Sequence, residues 1–410
     1  MHFLHIYFAF AAGYLLSYLY RTVNAVISPE LSRDLMLNPS SLGLLTSAYF
    51  LAFAAMQLPV GILLDRYGPR RVEPVLLAIA AGGAALFAIA DTLAGLALAR
   101  AVIGAGVCAC LMAPLKAISA WYPPDRQASY SGWIMVAGGI GALAATVPLE
   151  MALRVTHWRI VFMGLSAVTL AVAVAIWWRV PDIAKPQDSG SLANQLAGVR
   201  SVIVHPRFWW IAPLGALGMG SFMAIQGLWA VPWLMDVDGG TRGSAANHLL
   251  VMNAVIMVGY AGLGFFGTRL ARRGIHARHL FAAGFAANMG ALALIVIGAP
   301  GSYVWWSVYG LGAAVNVLAF TVLNEGFGRD LAGRTNTTLN LLMFSGSFIT
   351  QWGIGVVADA ARAAWALDAA GGLKAAFVVI LVGDVVTYLW FLRGWKRYSV
   401  HLPVPAPVAA

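Results

Sequence analysis

The chain is 410 residues long, 60% hydrophobic and only 10% charged, with a mean hydropathy of +0.79 and a formal net charge of +10. A soluble domain carries about 25% charged residues, so this composition excludes a soluble enzyme or nucleic-acid-binding domain. It describes a polytopic membrane protein whose basic excess follows from where Lys and Arg sit relative to the bilayer.

Apolar segments are predicted at 3–27, 41–64, 73–91, 93–118, 128–150 and 157–178, then at 208–235, 244–268, 277–298, 302–325, 335–358 and 373–393. Lipid cannot satisfy an open backbone, and these runs are too long and too uniformly apolar for barrel strands, so each is read as a helix. The first run has no basic stretch before it and reads as a span, not a cleavable signal. The polar stretch at the midpoint, with Pro181, Pro186 and the run "QDSGS", divides the chain. Residues 1–179 form an N-terminal six-helix half, 180–206 a linker, 207–395 a C-terminal six-helix half and 396–410 a tail. With both ends placed in the cytoplasm, 18 of the 26 basic residues fall on the cytoplasmic side and six on the other, the asymmetry that sets topology.

"GILLDRYGPRR" (61–71) ends span two, and "GFFGTRLARRG" (264–274) ends span eight at an offset of 203 residues. A 6+6 repeat of this kind is a transporter organisation. The first string resembles the loop motif of the major facilitator superfamily through Gly61, Leu63, Asp65, Arg66, Gly68, Arg70 and Arg71. Arg100, Gly104 and Gly106 resemble that superfamily's second motif on span four, and an antiporter-type Gly-Pro motif is not evident on span five. The resemblance implies an all-α fold of twelve transmembrane helices in two halves, and no enzyme activity. Physically, Gly61 permits close approach of spans two and eleven. Asp65 is expected at the positive N-terminus of span eleven, near Thr335 and Asn336. Arg66 and Arg70 are expected to pair with Glu325 or Asp330, latching one side shut. Thr268 stands in the second copy where Asp65 stands in the first, so that half is expected to latch less well.

Two further pairs sit four residues apart: Met219 with Met223 on span seven, and His248 with Met252 on span eight. Residues four apart share a helix face. From the loop between the two spans, His248 lies roughly 7 Å deep, Met252 roughly 13 Å, Met223 roughly 20 Å and Met219 roughly 25 Å. Imidazole and thioether are the soft donors that select Cu(I), although methionine is also a common filler of apolar gaps. The pattern resembles the CcoA-like copper importers, a major facilitator branch of bacterial inner membranes. That resemblance implies Met219, Met223, His248 and Met252 as ligands and copper as the transported substrate. It also implies supply of cytochrome oxidase assembly and copper chaperones as partners. The chain is expected to act as a monomer in the lipid bilayer, without a prosthetic group or nucleic acid.

The branch includes relatives associated with riboflavin, so a small organic solute stands as the alternative. It would use an aromatic cavity of Tyr14, Tyr18, Trp133 and Trp229, with Arg21 as anchor. Arg21, Asn24, Arg100 and Asp384 are intramembrane polar or charged groups, which makes them cavity or coupling candidates by default. Cys108 and Cys110, the only cysteines, lie two apart in one apolar segment. They point to nearly opposite helix faces and cannot chelate as a pair. They give neither a disulfide framework nor a zinc knuckle.

Overall fold

The structure, a computed structural model, describes residues 2–122, 124–182, 192–325, 327 and 332–399; among them there is helix and no strand. Asp330, Lys185, the QDSGS run and residues 400–410 lie outside the described residues.

Among the described residues, ten helices are long and apolar enough to cross a membrane. Spans two and three are Pro39–Tyr67 and Pro69–Ile89; span five is Tyr130–Leu153 and span six Trp158–Arg179. Spans seven to ten are Pro206–Val237, Arg242–Arg272, Ala277–Val296 and Ser302–Asn324; eleven and twelve are Ala332–Trp365 and Ala369–Ser399. The other two of the twelve are the least uniform. Span one, His2–Leu35, carries Ser17, Arg21, Thr22, Asn24 and Ser28, all buried. Span four runs as Leu93–Gly106 and Met112–Trp121, with the cysteines in the break between.

Helix ends outrun the apolar segments. Span one continues to Leu35 and span eleven to Trp365, and span twelve reaches Ser399, past the expected start of the tail. Hydropathy marks only the stretch in contact with lipid, whereas backbone hydrogen bonding continues through polar residues beyond it. The expected linker contains a helix of its own, Leu192–Ile203, which lies on span eleven with the Arg334 side chain against Gly198. Between spans two and three the chain reverses at Gly68, whose φ of 77° is a left-handed conformation that glycine adopts without strain.

The side of the molecule holding this linker is called here the linker face, and the opposite side the far face. Spans two and eleven run antiparallel along the seam between the halves. Span one crosses the seam to span seven, and span five meets span eight where Met257 lies against Gly139. Span seven widens into π turns at Ile225–Trp229 and Trp233–Val237, and span ten tightens to a 3-10 turn at Ala314–Val317. Such interruptions in long helices occur often at functional sites.

Candidate substrate site and gates

The middle of the seam holds a buried cation. Arg21 is 6% exposed, and its guanidinium carbon lies 4.5 Å from the Tyr18 ring centroid, 5.2 Å from that of Phe344 and 5.4 Å from that of Phe53. Tyr14 and Tyr49 also face it, Tyr260 of span eight stands near it, and among the described residues no carboxylate does. Asn24 is three residues on, hence on the same helix face. Among the described residues, Arg21 Nε, both amide atoms of Asn24 and the Gln351 side-chain oxygen are buried without a hydrogen-bond partner. The first π turn of span seven brings Gly227 over the Arg21 carbonyl, with the Gln351 side chain beside it. Trp229 in the same turn donates its indole N–H to the Gln351 carbonyl at 2.9 Å. Toward the linker face follow Phe53 and Phe344, with ring centroids 4.2 Å apart, then Asn340, which donates to Gln57 at 2.8 Å.

A buried guanidinium with aromatic neighbours and no acid is electrostatically incomplete, because a charge out of water needs a partner. Its planar donors fit a carboxylate in two-point fashion. The unpartnered amides nearby suit hydroxyl groups. Of the expected aromatic lining, Tyr14, Tyr18 and Trp229 are present around this cluster, whereas Trp133 is 62% exposed on span five. Tyr49, Tyr260 and Gln351 complete it without a sequence signal beyond being polar residues in apolar spans.

The soft donors on spans seven and eight have their own surroundings. Met223 and Met252 are buried, at 3% and 0% exposure, and a Cβ on Gly310 of span ten would collide with the Met252 side chain. His248 stacks on Tyr303 of span ten at 3.5 Å and its Nδ1 hydrogen-bonds the Ser244 carbonyl at 2.9 Å, while Nε2 is buried without a partner. Met219 is half-buried and packs against apolar side chains on both sides of span seven, in one core around Met223 and in another around Phe285 and Met343. The side of span eight that faces the seam is marked by Asn253, which accepts from Gln226, together with Met257 and Tyr260. Met252 lies roughly 100° and His248 roughly 140° round the helix from it, toward span ten. Among the described residues, no three His, Cys, Asp or Glu side chains gather as a metal site.

The loop motif is arranged otherwise than expected. Asp65 pairs with Lys116 of span four and not with the start of span eleven. There, Thr335 donates to the Asn324 side-chain oxygen and Asn336 accepts from the Asn324 amide at 2.8 Å. Arg70 and Arg71 both reach Asp182, at 3.3 and 3.2 Å, and Arg66 lies over the Tyr67 ring. Glu325 faces Arg278 and Arg207 within its own half, and burial holds its carboxyl above the usual range. Sequence order hid these local partners because Lys116 and Asp182 lie far from the motif in the chain.

The far face is where the halves are tied. Arg242 pairs with Glu30 of span one, and its Nε lies 3.9 Å from Glu150 of span five, which Arg154 also holds at 3.0 Å. Among the described residues, every ion pair between the halves uses Arg242. Beside it, the backbone N–H of Ser40, in the first turn of span two, donates to Asp359 of span eleven at 2.8 Å. A Cβ on Gly355 would collide with the Pro39 carbonyl, so glycine is what permits this approach.

Arg100 is buried at 1% and donates to the Tyr20 carbonyl at 3.0 Å, while Gly104 and Gly106 admit the backbones of spans two and three. The second motif therefore packs the N-terminal half. Asp384 is 1% exposed and accepts from Ser221 at 3.1 Å. Glu73, which the sequence reading passed over, is wholly buried on span three beside Cys110.

Residues 10–351 match the profile described as Major Facilitator Superfamily. The hexuronate transporter of Escherichia coli (strain K12) is 30% identical over 186 residues, 45% of this chain and 42% of that protein. The galacturonate transporter of Dickeya chrysanthemi is 29% identical over 165 residues, 40% of this chain and 47% of that protein. The chain thus spans under half the length of these curated relatives. A bacterial homologue of the human lysosomal transporter Spinster, solved inward-facing and unoccupied, superposes with a TM-score of 0.78 at 18% identity, covering 98% of both chains.

Proposed function

The chain belongs to the Major Facilitator Superfamily, and from that premise we propose that it carries a small organic anion of the sugar-acid class by alternating access, with Arg21 as the carboxylate anchor. The observation that carries this reading is the buried Arg21 guanidinium, set between the halves and faced by tyrosines in place of a carboxylate. The Asn24 amide and the Gln351 side-chain oxygen, without partners among the described residues, are available to cargo hydroxyls. The names of the hexuronate and galacturonate transporters support the same chemistry.

The linker face is the cytoplasmic one in this reading, which the excess of basic residues on that side supports, and the membrane is a bacterial inner membrane. Arg242 with Glu30 and Glu150, and Asp359 on the start of span two, hold the periplasmic side shut. Asp65 takes the matching place on span eleven when the halves rock the other way. Asp384, buried and hydrogen-bonded to Ser221, is assigned the coupling proton. Copper remains as a second reading on one observation: with Nδ1–H donated to Ser244, the lone pair of His248 Nε2 is buried and unclaimed.

The test is uptake into proteoliposomes of labelled galacturonate and labelled copper, side by side. Accumulation of the sugar acid without copper is the expected result. Accumulation of copper alone, abolished by Met223→Leu, would replace this reading with the second.

A further inference from the structure

Outside the seam, spans eight, nine and ten enclose an apolar groove of about 710 Å³. Spans eight and nine diverge, span ten forms the floor, and small residues such as Gly262, Ala283 and Ala287 keep it open. Val258 and Phe266, on its rim, are 68% and 53% exposed, which on a membrane-spanning helix means facing lipid. The face of span eight that lines it, Val258, Gly262, Phe266 and Arg269, lies roughly half a turn round the helix from Asn253, Met257 and Tyr260. The groove is therefore separate from the Arg21 cluster, and nothing about it depends on what that cluster carries.

Its charge is confined to one end. Arg269 and Arg273 are the only charged residues of the lining among the described residues, both are exposed, and both stand at the linker-face end of span eight. From Arg269 to Val258 the helix rises roughly 16 Å, close to the depth of one leaflet of a hydrocarbon core about 30 Å thick. An apolar channel one leaflet deep, with two guanidinium groups at the headgroup level that make no ion pair among the described residues, matches one molecule in shape and in charge.

We propose that this groove is a binding site for an anionic glycerophospholipid of the linker-face leaflet, its phosphate held by Arg269 and Arg273 and one acyl chain lying along Gly262 toward Val258. The lipid backs span eight, which carries Met252 and Asn253, and span ten, whose Gly310 packs on Met252, and so occupies the outer side of the half that must rock.

Native mass spectrometry of the full-length, detergent-purified protein with added dioleoyl phosphatidylglycerol tests this. The wild type is expected to retain one such lipid in preference to dioleoyl phosphatidylcholine. Arg269→Gln and Arg273→Gln should each weaken retention roughly 5-fold, the value of about 1 kcal/mol per basic residue near an anionic lipid surface. Gly262→Leu, whose new side chain enters open space, keeps both charges and should also lose the lipid while remaining monodisperse. Retention of phosphatidylcholine equal to phosphatidylglycerol would overturn the proposal. So would displacement of the lipid by millimolar inorganic phosphate, which would make the arginines a free-anion site. Unchanged retention in Gly262→Leu would show that the lipid binds elsewhere.

Discussion

The two ends of the seam between spans two and eleven carry the same device in opposite conditions. At the far face, Gly355 and Asp359 of span eleven meet the start of span two, and Asp359 accepts a backbone N–H there. At the linker face, Gly61 and Asp65 of span two have the same spacing, yet Asp65 is turned to Lys116 of its own half. The helices are antiparallel, so each carries a Gly-x3-Asp at the level of the other's N-terminus, where the helix dipole favours an anion. Two rigid halves that rock about a central site close one end as the other opens. In the proposed reading, an engaged far end and a disengaged linker end belong to a single state of that motion, in which the far side is the closed one.

Several substitutions break or sharpen this contrast. The largest effect is expected at Arg242, because Arg242→Gln removes both ion pairs found between the halves among the described residues and leaves Glu30 and Glu150 without that partner. Losing one member of a largely buried charge network costs about 3 kcal/mol, roughly 100-fold in the balance between the two states. Cysteines introduced at the far end of spans one and seven should become reactive to an impermeant thiol reagent. Next comes Gly355→Val, which drives methyl groups into the Pro39 carbonyl. Overpacking of about 1–3 kcal/mol should widen the far end by a measurable step in spin-label distances between spans two and eleven. Asp359→Asn keeps the shape and loses the charge on the span-two terminus, about 1 kcal/mol or roughly 5-fold in the same labelling assay. The smallest effect is expected for Asp65→Asn. Its part-exposed pair with Lys116 is worth under about 1 kcal/mol, and the contact it makes in the opposite state is worth a similar amount, so far-end labelling should change by less than about 3-fold. A larger response at Asp65 than at Asp359 would invert the comparison.

The sequence made much of this frame legible. Twelve spans, two halves and the loop motif follow from hydropathy and from one repeated string, and Arg21 was visible as a charge within an apolar run. What stayed hidden has a common cause: spacing tells which residues share a helix face, not which neighbour that face meets. Met252 and His248 do share one, but it looks to span ten, where Gly310 and Tyr303 pack on them. Lys116 was invisible as the partner of Asp65 because 51 residues separate them. "GVVAD" at 355–359 repeats the spacing of "GILLD" at 61–65, but without the Arg-x-Gly-x-Arg-Arg that follows Asp65 it does not announce itself. The cluster around Arg21 draws on five spans, and Tyr49, Tyr260 and Gln351 are ordinary residues until the fold brings them together.

The central claim is that Arg21 anchors an anionic cargo, and the most direct measurement is galacturonate-dependent quenching of tryptophan fluorescence in purified wild type, Arg21→Lys and Arg21→Gln. Trp229, hydrogen-bonded to the Gln351 carbonyl beside the site, is the reporter. Wild type should bind, Arg21→Lys should bind more weakly because a point charge replaces a two-point donor, and Arg21→Gln should not bind, with the neutral reduced sugar binding none of the three well. Saturable galacturonate binding by Arg21→Gln at the wild-type affinity would contradict the account.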